Sequence, residues 1–217
     1  MAIFLIFYRR EVGIGTQKKI VQILEKAEKL KQRREQADKL ADEYLKSVFN
    51  EMFYNKEFEE VELGDTKICL IKGEYGSGAS AINYDGKNRY IRITDINENG
   101  NLKEEKVSPS KIEKKYILKK GDLLFARSGA TVGKTYLHNS DEINYQYAGY
   151  LIRFRFNDII NPKYIYYITK TPYYLSWISS KQKVVAQPNI NAKQYASLKI
   201  PLPPHPPKKI RKHRRES

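Results

Sequence analysis

The stretch QKKIVQILEKAEKLKQRREQADKLADEYLKSVFNEMF, from Gln17 to Phe53, contains no Gly and no Pro and is built from Glu, Lys, Gln, Ala and Leu. These residues lose little rotamer freedom in a helix, so the stretch predicts one continuous helix. At ~1.5 Å of rise per residue it makes a rod of roughly 55 Å. Ile20, Ala27, Ala41 and Val48 share one heptad position, and Ile23, Leu30, Ala37 and Tyr44 share a second one, three residues on. Such a seam calls for a partner helix. Arg34 and Glu51 interrupt the two series, and a polar break of this kind selects register and partner. A single domain of about 150 residues could hardly cover the whole rod. The expectation is therefore a second helix from another chain, with packing on its own domain as the alternative. Thr16 is the expected N-cap.

On the N-terminal side, residues 1–15 carry a short apolar run, Ala2 to Tyr8, without a basic leader. It is too short to span a bilayer, and these residues are expected to form an edge strand or a ragged leading segment. No other stretch approaches ~18 consecutive apolar residues, which predicts a soluble protein. The one cysteine, Cys69, cannot form an intrachain disulfide and leaves too few thiolates for a zinc knot. A reducing, cytoplasmic setting is expected, with no metal and no cofactor.

On the other side, from Glu59 to Pro201, short β-branched and aromatic runs alternate with Gly, Asn and Asp. That texture predicts a sheet-rich domain. Strands are expected at Thr66–Ile71, Arg89–Thr94, Asp122–Arg127, Thr135–Leu137, Ala148–Phe156 and Leu198–Pro201. Asn161-Pro162 and Thr171-Pro172 each place a cap and a first-turn proline before a helical run, and Asn191 is the expected N-cap of AKQYASL. The fold class expected is α+β: a long coiled-coil-type helix over residues 16–54, then a mixed sheet-rich domain over 55–204. Residues 205–217, basic and Pro-rich, cannot bury a core and are expected to be extended or disordered.

Forty Lys and Arg against 25 Asp and Glu give a formal charge of +15, which favours a polyanionic partner such as DNA, RNA or an anionic surface. Within the domain, DLLFARSGATVGKTYL (Asp122 to Leu137) ends in the Gly133-Lys134-Thr135 of a phosphate-binding loop. Ser128 stands where that loop needs its opening Gly, and a strand-like run follows where a nucleotide site needs a helix. The same residues make a Gly-rich turn that can hold Arg127, Ser128, Thr131 and Lys134 against a DNA backbone or groove, or else a plain hairpin. GEYGSGASAINYDGKNRYIRITDIN (Gly73 to Asn97) offers Tyr75, Ser77, Ser80 and Arg92 beside a flexible turn, where a plain surface turn is the alternative. QPNIN supplies Gln187, Asn189 and Asn191, amides suited to the major-groove edge of adenine but equally to caps and turns. Two catalytic readings fail. NPKY (Asn161 to Tyr164) lacks the Gly-rich cofactor unit a methyltransferase needs, and His138, His205 and His213 lie in unrelated contexts with no metal-ligand spacing.

QKKIVQILEKAEKL (17–30), RYIRITDI (89–96), GDLLFARSGATVGKTYL (121–137) and KQYASLKIPLPP (193–204) together resemble the specificity subunits of type I restriction-modification enzymes. The resemblance spans nearly the whole chain. In that family a full subunit carries two target-recognition domains, each followed by a long helix, and the helices pack antiparallel. The resemblance implies that this chain is a half-subunit with one recognition domain and no catalysis of its own. It also implies partners: double-stranded DNA, a methyltransferase subunit, a restriction motor subunit in the full complex, and a second copy through the long helix. Such a dimer would read a split site whose halves are at most about sixteen base pairs apart, given ~55 Å of helix and ~3.4 Å per pair. The sequence after IPLPP departs from the family and looks truncated or frameshifted, so a degenerate half-subunit that only dimerises is the main rival. A small ATPase built on Lys134 is a further one, and a nonspecific binder using Lys208 to Arg215 is the last.

Overall fold

A computed structural model describes residues 13–53, 58–142, 144–182 and 188–202. Gln187, the leading residues 1–12 and the tail 205–217 lie outside the described residues. The chain separates into two compact units, residues 1–54 and 55–217.

The first unit holds one α-helix, α1 (Ile14–Phe53). It starts before Thr16, whose amide already donates to the carbonyl of Gly13 at 2.9 Å. Thr16 is therefore inside the first turn and is not the N-cap, and Ile14 and Gly15 belong to the helix, not to a leading strand. The seam residues Ile20, Ile23, Leu30 and Tyr44 are exposed, as are Ala27, Ala37 and Ala41, while Val48 is half-buried.

The second unit is α+β. Its strands are β1 (Glu59–Glu62), β2 (Cys69–Tyr75), β3 (Ala81–Asn83), β4 (Arg89–Ile91), β5 (Val107–Pro109), β6 (Leu123–Ala126), β7 (Thr135–Leu137), β8 (Tyr145–Tyr147), β9 (Leu151–Phe156) and β10 (Lys199–Leu202). Three helices, α2 (Pro162–Ile168), α3 (Pro172–Gln182) and α4 (Ala192–Ala196), sit between β9 and β10. A four-stranded antiparallel sheet runs β2-β9-β6-β7, and β1-β10, β3-β5 and β4-β8 form three smaller pairs, of which β4-β8 is parallel.

Strand β6 is buried on both faces. Leu124 and Ala126 join Ile91, Ile96, Leu118, Tyr147 and Leu151 in one core cluster. On the opposite face Phe125 meets Phe154 edge-on, 5.3 Å between ring centres, and Tyr195 of α4 at 4.9 Å. Alternation along a strand sends successive side chains to opposite faces, so four residues supply both cores.

The caps of α2 and α4 form where expected. The Asn161 side chain accepts from Lys163, and Asn191 and Gln194 make a reciprocal capping box. Several strand boundaries shift for local reasons. Thr66 and Lys67 are in a turn, because the Asp65 carboxylate accepts from the Lys67 amide at 2.8 Å, and β2 begins at Cys69. Strand β4 stops at Ile91 because the buried Asp95 carboxylate accepts from the Arg92 amide at 2.9 Å and closes a 3-10 turn. Ala148 makes an isolated bridge with Ser77, and Gly149 and Tyr150 turn, with the Leu151 amide bonded back to Ala148 at 2.9 Å, so β9 is shorter than expected.

Candidate nucleic-acid interface

The C-terminal ends of β2 and β6 and the start of β9 lie at one end of the main sheet, with Tyr75 opposite Ile152 and Ala126 opposite Leu151. This places Tyr75, Arg127 and Tyr150 together, and Lys134, just before β7, lies at the same end. Two buried tyrosines hold the turn from Arg127 to Lys134. The Tyr195 hydroxyl donates to the Ala126 carbonyl at 2.7 Å and accepts from the Gly133 amide at 3.2 Å, while the Tyr174 hydroxyl donates to the Gly133 carbonyl at 3.0 Å. Burial pushes the phenols of Tyr174 and Tyr195 well above their usual range, so both stay protonated donors. Gly133 has φ +88°, and a Cβ there would meet Ile178 at 3.1 Å.

The segment from Pro188 to Asn191 is laced onto this turn. The Gly129 amide donates to Pro188 at 3.1 Å, Ser128 and Asn189 form an isolated bridge, and the Ile190 amide donates to Arg127 at 2.9 Å. The Ala192 amide donates to the Tyr75 hydroxyl at 3.1 Å. Three stretches far apart in sequence thus make one surface. Its centre is the Arg127 guanidinium, 4.7 Å above the Tyr75 ring, with Nε 3.5 Å from the side-chain oxygen Oδ1 of Asn189. A cation over an aromatic face is attracted to the ring quadrupole, and the contact fixes the plane of the fork. Tyr150, 62% exposed, belongs to this end as well, and its carbonyl accepts from the Arg127 amide at 3.1 Å. Sequence reading placed it inside a strand; the Gly149-Tyr150 pair before a β run was the missed turn signal.

The other expected contacts are distributed differently. Ser77 is buried, its hydroxyl donating to Glu113 at 2.5 Å and accepting from the Ala79 amide at 3.0 Å, so it supports the loop from within and is not at the surface. Arg92 is bound to the buried Asp95 by Nε and by Nη2 at 2.7 Å, an ion pair that raises the arginine pKa further, and it serves to close the turn after β4. Ser80 is exposed but pairs with Ser110 through both backbone groups, on the side of β3 and β5. Thr131 donates to the Ser128 carbonyl at 2.9 Å, shaping the turn. Asn191 caps α4. Lys134 reaches Glu98 at 2.7 Å. No phosphate-binding loop forms here: Lys134 is followed by β7 with no helix, and the Thr135 hydroxyl is buried against Thr169 at 2.7 Å.

Behind the surface lies a buried charge network. Arg155 holds Asp122 by two bonds of 2.6 Å, Arg153 pairs with Glu74 and lies 3.6 Å from Asp122, and the Tyr147 hydroxyl reaches Glu74 at 3.2 Å. The network ties β2 and β9 to Asp122, the residue that precedes β6.

Solved structures share this fold. A chain from a structure on complex assembly and conformational transition of a type I R-M system matches at 20% identity with a TM-score of 0.56, over 87% of this chain and 46% of that one. The HsdS subunit from Thermoanaerobacter tengcongensis matches at 20% identity and TM-score 0.53, over 86% and 45%. The type I restriction-modification S subunit from M. genitalium matches at 19% and 0.54, over 85% and 47%. The chain therefore spans about half the length of each of these chains. Comparison with curated proteins found no match. The family model described as type I restriction modification DNA specificity domain matches residues 55–211, most of the chain, and the chain belongs to that family.

Proposed function

We propose that residues 55–204 recognise a DNA sequence as the target-recognition domain of a specificity subunit, directing partner subunits without catalysing a reaction. The observation that carries this is the laced surface at the end of the main sheet, where an arginine, two tyrosines and an amide from separate segments converge on a rigid frame. Base edges are read by side chains held in a fixed direction, whereas a charged but unstructured patch supplies only position on the backbone. The formal charge of +15 supplies the long-range attraction to phosphate.

The long helix α1 is assigned to pairing with a second copy and to docking a methyltransferase subunit, with a restriction motor subunit joining in the full complex. Its exposed seam of Ile20, Ile23, Leu30 and Tyr44 supports this assignment. Among the described residues, no helix is long and apolar enough to cross a membrane, and no group of His, Cys, Asp and Glu is placed to hold a metal ion.

The test is enrichment of a randomised duplex pool by the full chain, alone and with a methyltransferase subunit encoded beside it. Enrichment of one motif, retained after deletion of residues 205–217, is the expected result. Binding without a motif that disappears with the tail would assign the chain as a nonspecific binder, and no binding with intact dimerisation would assign it as a degenerate half-subunit.

A further inference from the structure

The arginines of the recognition unit differ in what their terminal nitrogens touch. Those of Arg89, Arg92, Arg153 and Arg155 each donate within the protein, to the Lys103 carbonyl, to Asp95, to Glu74 with two carbonyls, and to Asp122. Arg127 is different. Only its Nε has an acceptor, Asn189, and among the described residues its two terminal nitrogens bond to nothing, although the guanidinium is aligned over the Tyr75 ring. Among the described residues no carboxylate pairs with it either, whereas the nearby Lys134 is paired with Glu98.

We propose that Arg127 reads a guanine, donating from its two terminal nitrogens to O6 and N7 in the major groove; this rests on the DNA-recognition reading given above. The geometry favours a base over a phosphate. A phosphate contact needs charge but no fixed plane, and a flexible lysine serves as well. Here two neighbours from different segments hold the plane of the fork, and the fork's free side carries the paired donors that match the acceptor pair of guanine. Tyr75 and Asn189 are positioning residues in this scheme.

The experiment compares the motifs that the full-length chain, Arg127→Lys and Arg127→Ala enrich from a randomised duplex pool at matched salt, measures the affinity of each for the enriched duplex over a salt series, and uses thermal melts as the folding control. Wild type should enrich a motif with a G·C pair that both variants lose, the remaining positions staying unchanged. Discrimination at that pair should fall by roughly tenfold to a hundredfold. Arg127→Lys should keep the salt dependence of wild type, since it keeps the charge. Replacing the guanine by 7-deazaguanine, which lacks the N7 acceptor, should weaken wild type and leave Arg127→Ala unaffected. The proposal is overturned if the variants enrich the wild-type motif unchanged and Arg127→Ala merely shows a shallower salt dependence, the mark of a phosphate contact. Loss of selectivity at an A·T pair insensitive to deaza substitution overturns it equally. If wild type enriches no motif at all, the recognition reading itself falls, and the guanine assignment with it.

Discussion

Arg153 is almost wholly buried, yet it carries charge into the middle of the sheet, where it meets Glu74, Asp122 and the ring of Tyr147 at 5.2 Å. Removing one member of a buried ion network leaves the others uncompensated in a medium that solvates them poorly. Arg153→Met should therefore destabilise the domain by about 3–5 kcal/mol, measured by urea unfolding of the full chain, and it should loosen β2 at Glu74. His138 is a second buried polar group, with Nδ1 3.2 Å from the Tyr136 hydroxyl, and burial lowers its pKa below the usual histidine value despite the carboxylates of Asp122, Glu142 and Asp141 nearby. The unfolded state then binds the extra proton first, so stability is lost as pH falls below about 6.5 and gains nothing further above it. His138→Gln should flatten the decline of melting temperature just below that pH. An unchanged pH slope would assign the decline to carboxylates. Neither role was legible in the sequence, because a histidine and an arginine in a strand-like run look like surface residues until the partners from other strands are known.

At the scale of elements, the caps of α2 and α4 and the long helix were legible because their signals are local: Asn161-Pro162, Asn191 before AKQYASL, and a stretch without Gly or Pro. Strands β1, β3, β5 and β8 were not. Glu59–Glu62 carries acidic residues at every position but one, and Ala81–Asn83 is exposed throughout, so neither shows apolar alternation. Their partners, Lys199–Leu202 and Val107–Pro109, are remote in sequence. The candidate surface was half legible. The turn at Arg127 to Lys134 and the Asn189 segment could each be suspected, but their lacing by the Ser128–Asn189 bridge is a tertiary fact, as is the withdrawal of Ser77 and Arg92 into the fold. The clamp by α3 and α4 gives a test. Tyr195→Phe deletes the bonds to Ala126 and Gly133 while keeping the ring against Phe125. The Gly133 amide and the Ala126 carbonyl keep their mutual bond of 3.2 Å, so the cost is that of lost hydrogen bonds, about 0.5–1.5 kcal/mol. The expected readout is that loss of stability, together with faster amide exchange at Gly133, while exchange in β9 stays slow.

At the scale of the whole molecule, a 40-residue helix with exposed Ile20, Ile23, Leu30 and Tyr44 on its heptad positions carries more apolar surface than a solitary helix holds in water. In the proposed pairing of two copies through α1, that surface would be buried and a twofold axis would relate two recognition domains, so that each copy would present the same Arg127 to one half of a split site. In such a pair the heptad positions would carry the apolar contacts, so a charge there is more disruptive than one on the helix flank. Ile23→Glu or Leu30→Glu should shift the mass seen by light scattering from dimer to monomer at micromolar concentration, whereas Glu28→Lys, off the seam, should leave the dimer intact. The two outcomes separate the functions of the two units. If the seam variants become monomeric and still bind single half-sites weakly, the helix acts in assembly alone, and affinity for the full site should fall because the second half-site no longer gains from tethering to the first. If wild type is already monomeric, the seam is covered by a different chain, and the methyltransferase subunit becomes the partner to mix with it in the same measurement.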